Sequence, residues 1–355
     1  MANLANTLAV FPNGVWENII AFFSSNIGNY AVAIILVTIC IKLLLLPIDY
    51  FNRRSSVKMT EVQTKLGPKM QEIKKRYPDP NVQNQKIQEL YQKEGFNPMG
   101  SCLTMLVVMI VSMGVFFTLF ASLNNMAQFK ITQQYEQLQT AYVQNYVMEE
   151  KGLTTEEEFK QLVFADGEIE AYITTISESG DDMIISVANN AVSEKYKEVK
   201  ESFLWVKNVW IADSASSKAI PDFKTYSSLA KLSFETTEER ESAEAVYESV
   251  MAELREEQGV NGFFILAILT GLTAFFNQYL LTKKKKKKEN YYTKNGQPDP
   301  SANSGKAMLI ILPIIMVMFT LSYNSIFSLY IIFSQAVGMC TAPVINHLIN
   351  KSSKN

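Results

Sequence analysis

The 355-residue sequence holds one histidine, His347, and three cysteines. Little metal or nucleophile chemistry can be built from that supply. No P-loop is present, no Ser/His/Asp arrangement can be assembled, and no metal-ligand cluster shows. Cys40, Cys102 and Cys340 all lie in apolar stretches. They read as small buried hydrophobes rather than as a disulfide framework or a metal site. No basic region followed by an apolar run and a small-residue site opens the sequence, so no cleaved signal peptide is expected. An enzyme is the least favoured class, and no cofactor, metal or DNA partner is expected.

Charge of one sign is also lacking on average: the formal net charge is −2, and mean hydropathy is near zero at +0.02. Both averages hide sorting along the chain. Dense apolar stretches alternate with very polar ones, which is the pattern of a polytopic membrane protein with a soluble part. The central stretch is 30–51, YAVAIILVTICIKLLLLPIDYF, long enough to cross a bilayer as a helix, which takes about 20 apolar residues. Lys42 sits inside it. An ammonium at mid-membrane costs on the order of 2.5–3.5 kcal/mol on insertion scales, so an intramembrane lysine is a functional-site candidate by default. Snorkelling of Lys42 to a nearby interface is the other reading that its leucine-rich surroundings leave open.

Residues 1–29 carry Phe11, Val15, Ile19, Phe22 and Phe23 near helical spacing and predict an interfacial amphipathic helix, or else a helical extension of the first span. After the span, 52–97 is basic, with ten Lys/Arg. Tyr77-Pro78-Asp79-Pro80 divides it into two amphipathic halves, so a helical hairpin is expected. The positive-inside rule makes it cytoplasmic. Arg53, Arg54, Lys74, Lys75 and Arg76 are its candidate contact residues. A second span, 98–123, leads to an insertion, 124–260, with 26 Asp/Glu against 12 Lys/Arg. It is expected to be helical and extracytoplasmic, with Phe203-Leu204-Trp205 and Trp210 as interface anchors.

A third span, 261–282, precedes six lysines, Lys283 to Lys288, within a loop, 283–306. Such a run can bind nucleic acid or serve as a localisation signal, but directly after a span it reads as a topological anchor in the headgroup region. Two closely spaced spans fill 307–349, and the tail, 350–355, holds Lys351 and Lys354. The expected fold is an all-α polytopic membrane protein. It is a five-transmembrane-helix bundle with a hydrophilic groove, a cytoplasmic helical hairpin and a helical extracytoplasmic insertion, N-terminus outside and C-terminus inside.

Polar groups recur within the spans. Thr38 precedes Lys42 by four residues and shares its helical face. Asn277 and Gln278 fall in the third span, and Ser325, Ser328, Ser334 and Gln335 in the last. Serine and threonine alone read as packing or interhelical hydrogen bonds. Two amides and a lysine from different spans would line a hydrophilic cavity if they converge.

Three stretches carry a resemblance: AIILVTICIKLLLLPI, the hairpin ending GFNPMGSCL, and LPIIMVMFTLSYNSIFSLYIIFSQ, joined by FLWVKNVWIADS before the third span. Over about 30–123 and 200–350 the chain resembles the YidC/Oxa/Alb membrane-protein insertases, in the five-span form of Gram-positive bacteria. Each motif alone is weak, and together they are specific. The resemblance implies five core helices around a positively charged groove, open to the cytoplasm and to lipid, in a bacterial plasma membrane. It places Lys42 at the family's groove arginine, Thr38 at a groove threonine, Gln278 at a groove glutamine and Tyr330 in the Leu-Tyr-aromatic motif. Asn277 and Gln335 complete the candidate groove set. Lysine for arginine at 42, Ile331 after Tyr330, and Thr104 where proline is common are departures, and the insertion at about 126–200 is unlike the short loop of many such members. The resemblance implies nascent membrane proteins as substrates, with the ribosome and the Sec translocon as candidate partners. A transporter or ion channel built on Lys42, and a scaffold that only stabilises other subunits, are the readings from other classes.

Overall fold

The computed structural model describes residues 11–95, 98–155, 158–159, 162, 169–283 and 300–352. These residues are overwhelmingly helical and contain no β-strand, only two isolated bridges, Phe203 with Val206 and Lys218 with Val260. The chain divides into two compact units. One gathers residues 1–34, 120–268 and 318–329, and the other 35–119, 269–317 and 330–355. Most of the lysine run and the loop around it, like residues 1–10, lie outside the described residues.

Eleven described helices follow in order. The first four are α1 (Val15–Ile27), α2 (Tyr30–Arg76), α3 (Pro80–Lys93) and α4 (Pro98–Lys151). Then come α5 (Ile169–Glu178), α6 (Asp182–Val199), α7 (Phe223–Ala230) and α8 (Thr237–Gln258). The last three are α9 (Ile265–Lys283), α10 (Pro300–Ser322) and α11 (Ser325–Ser352).

Two of these differ from the sequence expectation. The helix that carries the first span does not stop near Pro47 and Asp49. It continues as one helix to Arg76, with Pro47 and Pro68 inside. Each proline removes a single N–H donor, a loss that a long helix absorbs where neighbouring groups satisfy the freed carbonyl. Likewise the second span and the 130–150 helix are one element, α4. Hydropathy changes near residue 124, but no residue there breaks the helical period.

In the first unit, α8 packs against α5, α6 and α7. Caps fix the helix starts: Asp181 accepts from the N–H groups of Met183 and Ile184, Asp222 from Thr225, and Thr236 from Glu239. The core centres on aromatic rings. Tyr226 and Tyr247 stack at 4.6 Å between centroids, and Tyr135 lies 5.0 Å from each. The Tyr247 hydroxyl donates to the Pro221 carbonyl at 2.9 Å, and Arg255, bidentate to Glu248, reaches the same carbonyl. Burial holds the Tyr226 and Tyr247 phenols above their ordinary range. An unfolded chain ionises its tyrosines near pH 10, so this stability is present below about pH 10 and declines as pH rises toward the folded values. Absorbance titration of the folded protein should leave these phenols neutral past that pH, with their ionisation coinciding with loss of structure by circular dichroism.

Helix α1 turns Glu17, Ile20 and Ser24 inward and leaves Val15, Ile19 and Phe22 exposed. Its end is closed by Gly28 at φ 78°, whose N–H donates to the Ser24 carbonyl at 2.7 Å. Trp210, expected at an interface, is instead buried. Its Nε1 donates to Glu201 at 2.8 Å and its ring meets Tyr30 at 5.4 Å. Leu204, beside Trp205 in sequence, is exposed.

The same segment closes the starts of two apolar helices. Asp213 accepts from the N–H groups of Phe263 and Leu266 at the start of α9 and from the Trp205 indole. The carbonyls of Ile211 and Val209 accept from the N–H groups of Ser325 and Ile326 at the start of α11. Asn261 ties the segment together: its Nδ2 donates to the carbonyls of Asn208, Ile211 and Ala212, and its Oδ1 accepts from the Asn208 N–H. Helix N-termini leave orphan N–H donors, and these buried side chains and carbonyls satisfy them.

Tyr30–Lys58, Leu106–Lys151 and Ser325–Lys351 each contain a window long and apolar enough to cross a membrane, and Ile265–Leu280 and Leu309–Ser322 are shorter apolar helices. Leu43, Leu44, Ile110, Phe117, Leu272, Phe276, Ile310 and Ile314 are exposed. So much outward apolar surface suits a lipid environment and would mark an aggregation hazard in water. Helices α9 and α10 meet closely at Gly271, where an added Cβ would stand 2.7 Å from Val317 Cγ2. A branched side chain on a helix has little rotamer freedom to yield. Gly271→Ala should therefore cost about 1–3 kcal/mol. Its melting temperature in detergent should fall, and Val317→Ala in the same chain should restore part of the loss.

Candidate functional site

The α2 face begins with Thr38, fully buried, and Lys42, half-buried one turn later. Because the helix runs unbroken through Pro47, its register carries on to Asp49, two turns beyond Lys42 on the same face. Asp49 is half-buried. Sequence reasoning took Asp49 as the end of the span. Its seven-residue spacing from Lys42 was the available signal, readable only once the helix is known to continue. Arg53, one turn further on, is half-buried and its Nε donates to Asn346 Oδ1 of α11 at 2.6 Å.

A second set of polar side chains lies on α9 and α11. Asn277 and Gln278 are both half-buried. The Asn277 amide faces Gly338, where an added Cβ would stand 3.8 Å from both Oδ1 and Nδ2. Three residues before Gly338, Gln335 is half-buried and its Oε1 is buried with no hydrogen-bond partner. Tyr330 is buried, with its ring 6.3 Å from that of Phe116 on α4. The contacts that define these two sets do not themselves join Lys42 to the amides. A hydrogen bond from Arg53 to Asn346 ties α2 to α11.

The hairpin residues divide similarly. Arg54, Lys74, Lys75 and Arg76 are exposed, whereas Arg53 is engaged with α11. Lys74, Lys75 and Arg76 form the last turn of α2, where cations complement the carbonyl end of the helix dipole. Lys65 and Lys69 both pair with Glu94 past the end of α3, at 2.6 and 3.5 Å, which holds the two arms together. Of the motif GFNPMGSCL, Phe96 and Asn97 lie outside the described residues.

An all-helical chain with long apolar helices, outward apolar surface and ionisable groups inside those helices is an all-α polytopic membrane protein. Residues 22–176 match the model of the 60Kd inner membrane protein family. Curated relatives include the membrane protein insertase YidC of Geobacter sulfurreducens, 41% identical over 103 residues, which is 29% of this chain and 18% of the relative. The insertase of the same name from Bradyrhizobium diazoefficiens is 38% identical over 100 residues, 28% of this chain and 15% of the relative. That from Alkalilimnicola ehrlichii is 42% identical over 97 residues, 27% and 16% respectively. The family match covers less than half of this chain. The matched stretches span under a fifth of the length of these relatives.

Proposed function

We propose that this protein is a membrane protein insertase of a bacterial plasma membrane. It would pass short polar segments of nascent membrane proteins across the bilayer through a groove bordered by Lys42. The reading takes five spans, N-terminus outside and C-terminus in the cytoplasm, with the hairpin of α2 and α3 inside and the acidic insertion outside. The observation that carries it is Lys42 itself, a half-buried cation within an apolar helix that falls inside the family match.

The physical account is short. A polar tail entering hydrocarbon loses hydration, and each unsatisfied polar group there costs several kcal/mol. A groove lined by Thr38, Lys42, Asn277, Gln278, Tyr330 and Gln335 replaces part of that hydration and shortens the low-dielectric path. Lys42 attracts acidic groups, and the apolar face of the substrate then leaves sideways into lipid. No nucleotide or metal enters the account. Arg54, Lys74, Lys75 and Arg76 are free of the membrane in this topology and give the hairpin a cationic surface for substrate, ribosomal RNA phosphate or the Sec translocon. Relatives that carry the insertase name give the solute-transporter reading no support.

The test is reconstitution. Purified full-length protein in vesicles should make a single-span reporter with a short acidic tail protease-protected, and protein-free vesicles should not. Equal protection in both would refute the reading.

A further inference from the structure

We propose that a groove between α4 and α6 docks a helix of a partner protein, apolar on one face and bearing lysine or arginine at its edge. The groove lies wholly within the first unit, in the acidic insertion, so the proposal stands apart from the insertase reading.

Each helix gives the groove one stripe. From α4 come Tyr142, Tyr146, Glu149 and Glu150, at the spacing of a single helical face over about 12 Å. From α6 come Met183, Ile184 and Val187. The space between the stripes is about 440 Å³. The flank of α6 toward α8 is already held: Asn189 donates to Glu253, and Ser193 to Glu257 at 2.7 Å. The groove side is open, with Met183 77% exposed and Val187 46% exposed. These two side chains stand one turn apart beside half-buried Ile184 and Tyr146 and form an apolar strip that folding leaves in water. Methionine adapts its shape to what it meets. A groove between two helices with apolar anchors a turn apart is the geometry that receives an amphipathic helix.

The charge of the rim selects the partner. Glu149 and Glu150 are exposed there, and Asp181 and Asp182 immediately precede Met183. Glu150 pairs with Lys151 at 3.5 Å, and no lysine or arginine lines the groove among the described residues. The insertion as a whole carries 26 Asp/Glu against 12 Lys/Arg. An acidic rim around an apolar floor attracts a cationic partner and repels an anionic one.

The probe is a labelled amphipathic peptide of leucine and lysine, ~18 residues or about five turns long. It is titrated against full-length protein in nanodiscs of zwitterionic lipid, with empty nanodiscs subtracted. It should bind saturably, and a matched leucine and glutamate peptide should bind at least several-fold more weakly. Met183→Asp and Val187→Asp should each weaken binding of the lysine peptide several-fold. Both side chains are exposed, so the fold is kept. Simple charge attraction predicts the opposite sign, because each variant adds a carboxylate. Glu149→Gln with Glu150→Gln should also weaken binding, whereas Glu238→Gln with Glu241→Gln, exposed acids outside the groove, should not. The proposal is overturned by absence of saturable binding, by aspartate variants that bind as tightly as wild type or more so, or by equal weakening from the two glutamine pairs. It also fails if wild type self-associates and Val187→Asp makes it monomeric, since the groove then joins two copies of this chain.

Discussion

Lys42→Ala should lower insertion of a substrate with an acidic tail about tenfold, while Lys42→Arg keeps most of it. Two opposite charges 4 Å apart interact by about 1 kcal/mol in bulk water and about 4 kcal/mol at an effective dielectric of 20. Lys42 is half-buried within an apolar helix, so its environment lies between these limits. Part of the attraction is offset by desolvation of the two charges. A residual of about 1.4 kcal/mol corresponds to the tenfold effect. Alanine removes the charge. Arginine keeps the charge on a longer, forked side chain. The measurement is insertion of the same reporter with an acidic and with a neutral tail, in a strain depleted of its own insertase. A neutral tail should lose less than the acidic one. Equal insertion of the acidic reporter by wild type and Lys42→Ala would remove the role given to this cation.

How much of this was legible in the sequence follows from what kind of signal each feature leaves. Lys42 stands out because one charge interrupts a long apolar run, and composition alone exposes it. The helical character of the chain follows from apolar periodicity in the same way. The continuation of α2 past its apolar part was hidden because proline ordinarily ends a helix, whereas Pro47 here lies inside a continuous one. The unity of α4 was hidden for a related reason: a change of polarity near residue 124 looks like an element boundary, though only its surroundings change there. Trp210 was read as an interface anchor because tryptophan is common there. Its indole is in fact satisfied by Glu201 within a packed core. The roles of Asn208, Asp213 and Asn261 were hidden, since a sequence does not show which buried backbone groups need partners. FLWVKNVWIADS was singled out by its likeness to the family, and the structure supplies a physical reason for Trp205, Asn208, Trp210 and Asp213 among its residues.

That segment gives the second large effect. Asn261→Asp should destabilise the first unit by roughly 3 kcal/mol or more, and Asn261→Ala by a similar amount. Asn261 is fully buried, and its amide serves both directions at once. Its Nδ2 donates to the carbonyls of Asn208, Ile211 and Ala212 at 2.9, 3.2 and 3.0 Å, and its Oδ1 accepts from the Asn208 N–H at 2.8 Å. Alanine orphans the Asn208 N–H and removes the donor facing the carbonyls. Ile211 is the least affected carbonyl, because Ser325 donates to it through both its N–H and its hydroxyl. Aspartate retains the acceptor but turns an oxygen, and a charge, toward the carbonyls. The consequence extends to the helix starts, because the loop that Asn261 holds carries Asp213 to the α9 terminus and the Ile211 carbonyl to that of α11. Gly262 is tight against the same carboxylate, where a Cβ would overlap Asp213, so Gly262→Ala should act in the same direction. Limited proteolysis in detergent reads the effect: wild type should resist cleavage around residues 200–262 at temperatures where Asn261→Asp is cut. Matching protection in the two proteins would mean that these buried hydrogen bonds do not hold the starts of α9 and α11.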